Sequence, residues 1–172
     1  KGYASDKAAE LFAQSELSGG FVSLGGNVYV HGTTAEGKPW NVAIQDPRNT
    51  EAYACTLRLS DAFAVTSGGY QRYFTGPDGT VYQHILDPRT GRPADSDLLS
   101  VTVISDDGTA ADAYSTALYV MGEQEAVSFW RAHGGFELIL ITADGRLLYT
   151  PELADTITAP EGCAYDFQPI AA

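Results

Sequence analysis

Asp112 and Thr116 stand four positions apart in Ala111-Asp112-Ala113-Tyr114-Ser115-Thr116-Ala117. On a helix that spacing puts a carboxylate and a hydroxyl on one face, with the Ser115 hydroxyl alongside. Oxygen donors of this kind suit a hard divalent cation such as Mg²⁺, which fills the rest of its shell with water or substrate phosphate. The same residues also fit plain helix chemistry, Asp112 favouring the macrodipole and Thr116 bonding back to the preceding turn. His84 lies in Tyr82-Gln83-His84-Ile85-Leu86-Asp87-Pro88-Arg89-Thr90-Gly91. An imidazole can remove a proton from a hydroxyl nucleophile near neutral pH, although a single histidine serves equally well as a structural group. His31 and His133 have no comparable setting. Gly25-Gly26 and Gly68-Gly69 mark strand ends where a backbone can approach a ligand, or simply turn. No GxGxxG opens a helix, and neither a phosphate-binding P-loop nor a GxSxG nucleophile elbow is present. Cys55 and Cys163 form no CxxC pair and read as buried or idle thiols.

The elements that must position these residues follow from periodicity. A helix is expected from Ser5 or Asp6 to about Leu17, because Ala8, Ala9, Leu11, Phe12 and Leu17 fall at helical spacings and Gly19-Gly20 stops the run. Short strands follow at Phe21 to Leu24 and Val28 to Val30, then at Trp40 to Gln45. The alternation of Tyr53, Cys55, Leu57 and Leu59 and the run Phe63 to Thr66 continue the β-rich half. Pro77-Asp78-Gly79 marks a hairpin. Leu99 to Ile104 reads as a buried strand, Ala110 to Met121 as a helix ended by Gly122, and Gln124 to His133 as a second. Phe136 to Thr142 and Arg146 to Tyr149 form a hairpin about Ala143-Asp144-Gly145, and the tail is expected to be polar and irregular. The pattern predicts a single α+β domain over residues 1–172, a mostly antiparallel sheet with helices packed against it.

The chain has 172 residues, and 22 Asp plus Glu against 10 Lys plus Arg give a formal charge of −12. With 44% hydrophobic and 19% charged residues, it has enough apolar material for a core. The absence of a basic stripe argues against nucleic acid and anionic membrane surfaces. Phosphorylated small molecules stay open, because a divalent metal or a helix N-terminus can hold phosphate without net positive charge. No apolar run approaches the roughly 18 residues of a membrane span.

Taken together, five blocks in order resemble the ApbE family of FAD:protein FMN transferases. Lys1-Gly2-Tyr3-Ala4-Ser5-Asp6 is similar to its KGYAxD block, and Ser23-Leu24-Gly25-Gly26-Asn27 to its LGGN strand end. Ala64-Val65-Thr66-Ser67-Gly68-Gly69-Tyr70 resembles the T-S-G-x-Y segment. His84 to Gly91 resembles H-I-x-D-P-x-T-G, and Ala111 to Ala117 resembles A-D-A-x-x-T-A. The likeness spans at least Lys1 to Gly122 and implies an ApbE-like, T-fold-like domain, here the C-terminal part of a longer protein. It implies FAD as substrate and Mg²⁺ as cofactor, with FMN passing to a Ser or Thr hydroxyl of an acceptor flavoprotein of a bacterial redox complex and AMP leaving. By the same resemblance Asp112 and Thr116 are metal ligands, joined by a carbonyl near Lys1. His84 becomes the base or a phosphate-positioning group. Tyr3, Asp6, Gly26, Ser67 and Gly68, together with His84, Ile85 and Leu86, fall in blocks that line the flavin nucleotide. The resemblance further implies a periplasmic or cell-envelope location with a lipid anchor ahead of Lys1. An FAD pyrophosphatase giving FMN and AMP, or a flavin-binding module without turnover, are the rival expectations.

Overall fold

The computed structural model describes residues 1–171. Helix α1 spans Gly2–Ala13 and leads into strands β1 (Gly19–Leu24) and β2 (Asn27–Gly32). Strands β3 (Trp40–Asp46), β4 (Asn49–Leu59) and β5 (Ala62–Gly68) follow, then two small hairpins, β6 (Tyr73–Thr75) with β7 (Val81–Gln83) and β8 (Leu86–Asp87) with β9 (Arg92–Pro93). Strand β10 (Leu98–Ser105) precedes helices α2 (Gly108–Met121) and α3 (Glu123–His133), and β11 (Glu137–Thr142) and β12 (Arg146–Tyr149) form the next hairpin. Strands β13 (Ile157–Thr158) and β14 (Asp166–Pro169) complete the order.

Seven strands form the main sheet in the order β1-β2-β5-β10-β11-β12-β14, and β13-β4-β3 form a smaller one. Each pairing is antiparallel except that of β12 with β14. The central strands of the main sheet are buried on both faces, so they read as continuous apolar runs rather than as alternating ones. Val65, Val101, Val103, Leu138 and Leu140 pack against Ala111, Leu118 and Tyr119 of α2 and against Ala126 of α3. Their neighbours Ala64, Ile104, Ile139 and Ile141 face the opposite way, onto Val42, Ile44, Cys55 and Leu57 of the small sheet. The result is three layers, helices, large sheet and small sheet. Burying each large side chain contributes about 1.5–3 kcal/mol before strain and entropy.

The expected mixed, mostly antiparallel architecture is therefore the one observed, with differences at the ends. Helix α1 starts at Gly2 instead of Ser5 or Asp6 and finishes at Ala13 instead of Leu17. Gly19 and Gly20 already pair with Gly32 and His31 in β1, so the chain leaves the helix early. The tail is more ordered than its composition suggests. Asp166–Pro169 hydrogen-bonds alongside β12, and Ile157 pairs with Leu57. Such two- and four-residue pairings carry almost no hydrophobic period to read.

Candidate active site

A cleft of about 580 Å³ opens where five segments meet. Lys1 comes from the start of α1, Gly25 from the β1–β2 turn, Thr66, Ser67 and Gly68 from the end of β5, Gln71, Arg72, His84, Ile85 and Leu86 from the stretch of short strands after β5, and Asp112 and Thr116 from α2. Seven residues expected at the site thus lie around one cavity: Ser67, Gly68, His84, Ile85, Leu86, Asp112 and Thr116.

Asp112 is the most heavily bonded of them. Its Oδ2 accepts the Gly2 N–H at 2.9 Å and lies 3.2 Å from the Lys1 backbone nitrogen. The fully buried Asn27 turns its amide so that the nitrogen donates to Asp112 Oδ1 at 3.3 Å and the oxygen accepts from Gly2 N–H at 2.9 Å. Burial pushes the Asp112 carboxyl up, while the hydrogen bonds from the Gly2 N–H and the Asn27 amide favour its ionised form. It is therefore an anion at neutral pH, with part of its surface open to the cleft. Gly2 and Asn27 stand in the resembling blocks, but the sequence alone points to no role for either. Their signal was the small residue at position 2 and the amide that ends Leu24-Gly25-Gly26-Asn27.

Thr116 projects from the same face of α2 as Asp112, with its hydroxyl 3.0 Å from Ser67 Oγ on β5. Ser67 Oγ also lies 2.9 Å from Ser115 Oγ, so β5 and α2 meet through hydroxyls and not through apolar groups at this point. Among the described residues no group of three or more His, Cys, Asp or Glu gathers as a metal-binding set. One carboxylate and one hydroxyl are nonetheless what a cation uses when it keeps water and phosphate in its shell, and Mg²⁺ binds in that way. The donor set therefore fits Mg²⁺ and does not fit a closed zinc site, which wants four N or S ligands.

His84 is exposed at the cleft rim. Its Nδ1 lies 3.1 Å from the Arg72 carbonyl oxygen, and its backbone N–H bonds the same oxygen at 3.1 Å. A carbonyl can only accept, so the neutral ring carries its proton on Nδ1 and leaves Nε2 as the acceptor. Sequence reasoning pointed to the histidine but not to the Arg72 carbonyl, which no side-chain pattern announces.

Tyr3, Asp6 and Gly26 sit elsewhere. Gly26 stands next to the cleft-lining Gly25 at φ +93°, where a Cβ would come within 3.1 Å of the Thr66 carbonyl; its own carbonyl accepts Thr66 N–H at 2.9 Å. Tyr3 and Asp6 line a separate open groove of about 720 Å³ between α1 and the start of α2. Both Asp6 oxygens are engaged there, accepting from Gly108 N–H at 2.7 Å, from Thr109 N–H at 2.9 Å and from the Thr109 hydroxyl. Asp107 takes the Ala110 N–H at 2.8 Å. Two carboxylates thus close the N-terminus of α2, which is no longer open to an external phosphate.

The arrangement can be compared with known proteins. The family model described as "ApbE family" matches residues 1–140. A Treponema pallidum protein named FAD:protein FMN transferase is 34% identical over 166 residues, 91% of this chain and 46% of the relative. Its Escherichia coli K12 namesake is 39% identical over 146 residues, 84% of this chain and 41% of the relative. The crystal structure of the ApbE protein from Thermotoga maritima superposes with a TM-score of 0.74 at 34% identity, covering 96% of this chain and 51% of that one. The flavin transferase ApbE from Vibrio cholerae gives 0.70 at 28% identity, covering 93% and 47%. This chain spans about half the length of these relatives. A family-model match over residues 1–140, most of the chain, shows that it belongs to the ApbE family.

Proposed function

We propose that this chain supplies the metal and base half of a flavin transferase site, which moves FMN from FAD to a Ser or Thr hydroxyl of an acceptor protein and releases AMP. The observation that carries the reading is the convergence of Asp112 and Thr116 of α2 with His84, from a separate segment, on one cleft. Asp112 and Thr116 would hold Mg²⁺, and the bound ion would neutralise charge on the FAD pyrophosphate and on the departing phosphate. His84 Nε2 accepts the proton of the attacking hydroxyl, the Arg72 carbonyl keeping the ring in the tautomer that can do so. The hydroxyl oxygen bonds to the phosphorus on the flavin side, the bond from that phosphorus to the bridging oxygen breaks, and AMP carries the bridging oxygen and its electron pair away. The acceptor is then joined to FMN by a phosphodiester. The names of the relatives support a protein as acceptor. A cell-envelope location belongs to the same proposal and is checked by fractionation.

Intact-mass analysis of a candidate acceptor flavoprotein, after incubation with the protein, FAD and Mg²⁺, tests the reading. An FMN-sized increment that disappears with EDTA is the expected result. FMN and AMP without an adduct would point to water as acceptor and so to a pyrophosphatase. Unchanged FAD would contradict turnover.

A further inference from the structure

The hairpin β6–β7 sorts its side chains between two cavities. Tyr73 pairs with Gln83, Phe74 with Tyr82 and Thr75 with Val81. Tyr73, Val81 and Gln83 line a cavity of about 440 Å³ on one face, while Phe74 and Tyr82 stack their rings at 5.0 Å on the other. One step beyond the ladder the His84 N–H donates to the Arg72 carbonyl at 3.1 Å. Arg72 therefore stands opposite His84, and both side chains leave the hairpin on the face of the stacked rings. Both residues line the cleft, and neither lines the other cavity. The guanidinium is also placed there without a protein partner. Those of Arg48, Arg58, Arg89, Arg131 and Arg146 are each held by a carbonyl or a carboxylate. That of the exposed Arg72 takes part in no hydrogen bond or ion pair among the described residues. In a chain of formal charge −12, the cleft is lined by two cationic side chains, Lys1 and Arg72, and by one carboxylate, Asp112. Lys1 Nζ donates to the Gly25 carbonyl at 2.7 Å, so the open donors are those of Arg72. Their planar fork matches two oxygens of a phosphate.

We propose that Arg72 is a further catalytic residue, whose guanidinium donates to the oxygens of the transferred phosphoryl group beside His84. The proposal rests on the transferase reading above and adds to it a second cationic group for the developing charge. As the acceptor oxygen bonds to phosphorus and the bond to the bridging oxygen breaks, negative charge spreads over the non-bridging oxygens. His84 takes the hydroxyl proton, AMP leaves with the electron pair, and Arg72 exchanges no proton. A donor aimed at charge that grows in the transition state acts on kcat more than on KM. The backbone bond from His84 to Arg72 fixes the spacing of the two groups before any substrate arrives.

The test is a titration of the isotopically labelled chain with sodium pyrophosphate in EDTA, following the Arg72 side-chain Nε–H and the backbone amides of Ser67 and Gly68 by NMR. The proteins are the wild type, Arg72→Lys, Arg72→Ala and Arg92→Ala, the last of which removes the same charge from β9. The carbonyl that orients His84 survives each substitution. Saturable shifts in the wild type, an affinity about tenfold lower in Arg72→Ala, partial recovery in Arg72→Lys and wild-type affinity in Arg92→Ala are expected. In AMP release from FAD with Mg²⁺, Arg72→Ala should lower kcat by about 10²–10³-fold, with KM changing less. Folded spectra for each variant separate these losses from unfolding. No saturable shift in the wild type, equal affinity in the wild type and Arg72→Ala, or equal loss in Arg72→Ala and Arg92→Ala overturns the phosphate contact. Weaker pyrophosphate binding with an unchanged kcat overturns the catalytic role. A wild type that binds pyrophosphate through Arg72 yet releases no AMP contradicts the transferase reading, and the catalytic role falls with it while the phosphate contact stands.

Discussion

The Gly2 amide and the Asp112 carboxylate are 2.9 Å apart although 110 positions separate them in the chain. The contact depends on the lack of a side chain at position 2. A Cβ there would stand 2.3 Å from the Gly108 carbonyl and 2.7 Å from Asp112 Cβ, so any larger residue must push α1 off α2. Gly2→Ala is expected to cost about 1–3 kcal/mol, as overpacking does, and to weaken Mg²⁺ binding at Asp112, read by a MgCl₂ titration of the backbone amides of Ala113 and Thr116. Urea unfolding and the same MgCl₂ titration check both parts. Wild-type values in the two experiments would remove Gly2 from the site.

Asp6 should behave as a cap and not as a nucleotide ligand. Its two oxygens take the first N–H groups of α2, and losing such a cap costs about 0.5–2 kcal/mol. Asp6→Ala should therefore lower the unfolding midpoint, while MgCl₂ still shifts the Ala113 and Thr116 amides. An unchanged midpoint with FAD binding abolished would assign Asp6 to the nucleotide instead.

For His84 the tautomer and the rate can be read separately. Long-range ¹H–¹⁵N correlations on the neutral ring should show the proton on Nδ1, as the Arg72 carbonyl requires. His84→Ala should lower kcat for FAD turnover by about 10²–10⁴-fold, with KM for FAD changing less. A proton on Nε2 would contradict the base assignment whatever the rate.

Burial pushes the Cys55 thiol up from 9.0 to about 12, with the nearby Cys163 adding to the shift. Below pH 9 the thiol is neutral whether the chain is folded or not, so Cys55 adds no pH dependence there. Between pH 9 and about 12 the unfolded chain ionises first, and stability falls as pH rises. The wild type should lose more stability than Cys55→Ala between pH 7 and pH 10.5 in urea titrations. At neutral pH a thiol reagent should label the half-exposed Cys163 well before Cys55. Equal labelling rates, or parallel losses of stability, would contradict the burial of Cys55.

Long amphipathic or apolar runs made most of this architecture legible in the sequence. Helices α2 and α3 and the β11–β12 hairpin lie within two residues of expectation, because three or more turns of helix and two facing strands leave a clear period. The parallel pairing of β14 did not show, since Asp166–Pro169 contains one large apolar residue, Phe167, and a partner 20 positions upstream, Arg146↔Asp166 in register. In the site, Asp112, Thr116 and His84 stood out because their types do chemistry. Asn27 and the Arg72 carbonyl did not, because their part depends on a fold that brings distant backbone together. Asp6, expected among the residues that line the nucleotide, also engages the backbone of α2, a contact that no spacing in the sequence announces.

The most direct test of the central claim measures AMP released from FAD by the wild type and by Asp112→Asn, across a range of Mg²⁺ concentrations and with EDTA. AMP that forms only with Mg²⁺, and that falls by orders of magnitude in Asp112→Asn while the fold persists, is the predicted result. AMP formation that ignores Mg²⁺, or that proceeds equally in both proteins, would contradict a metal-assisted transferase site at Asp112.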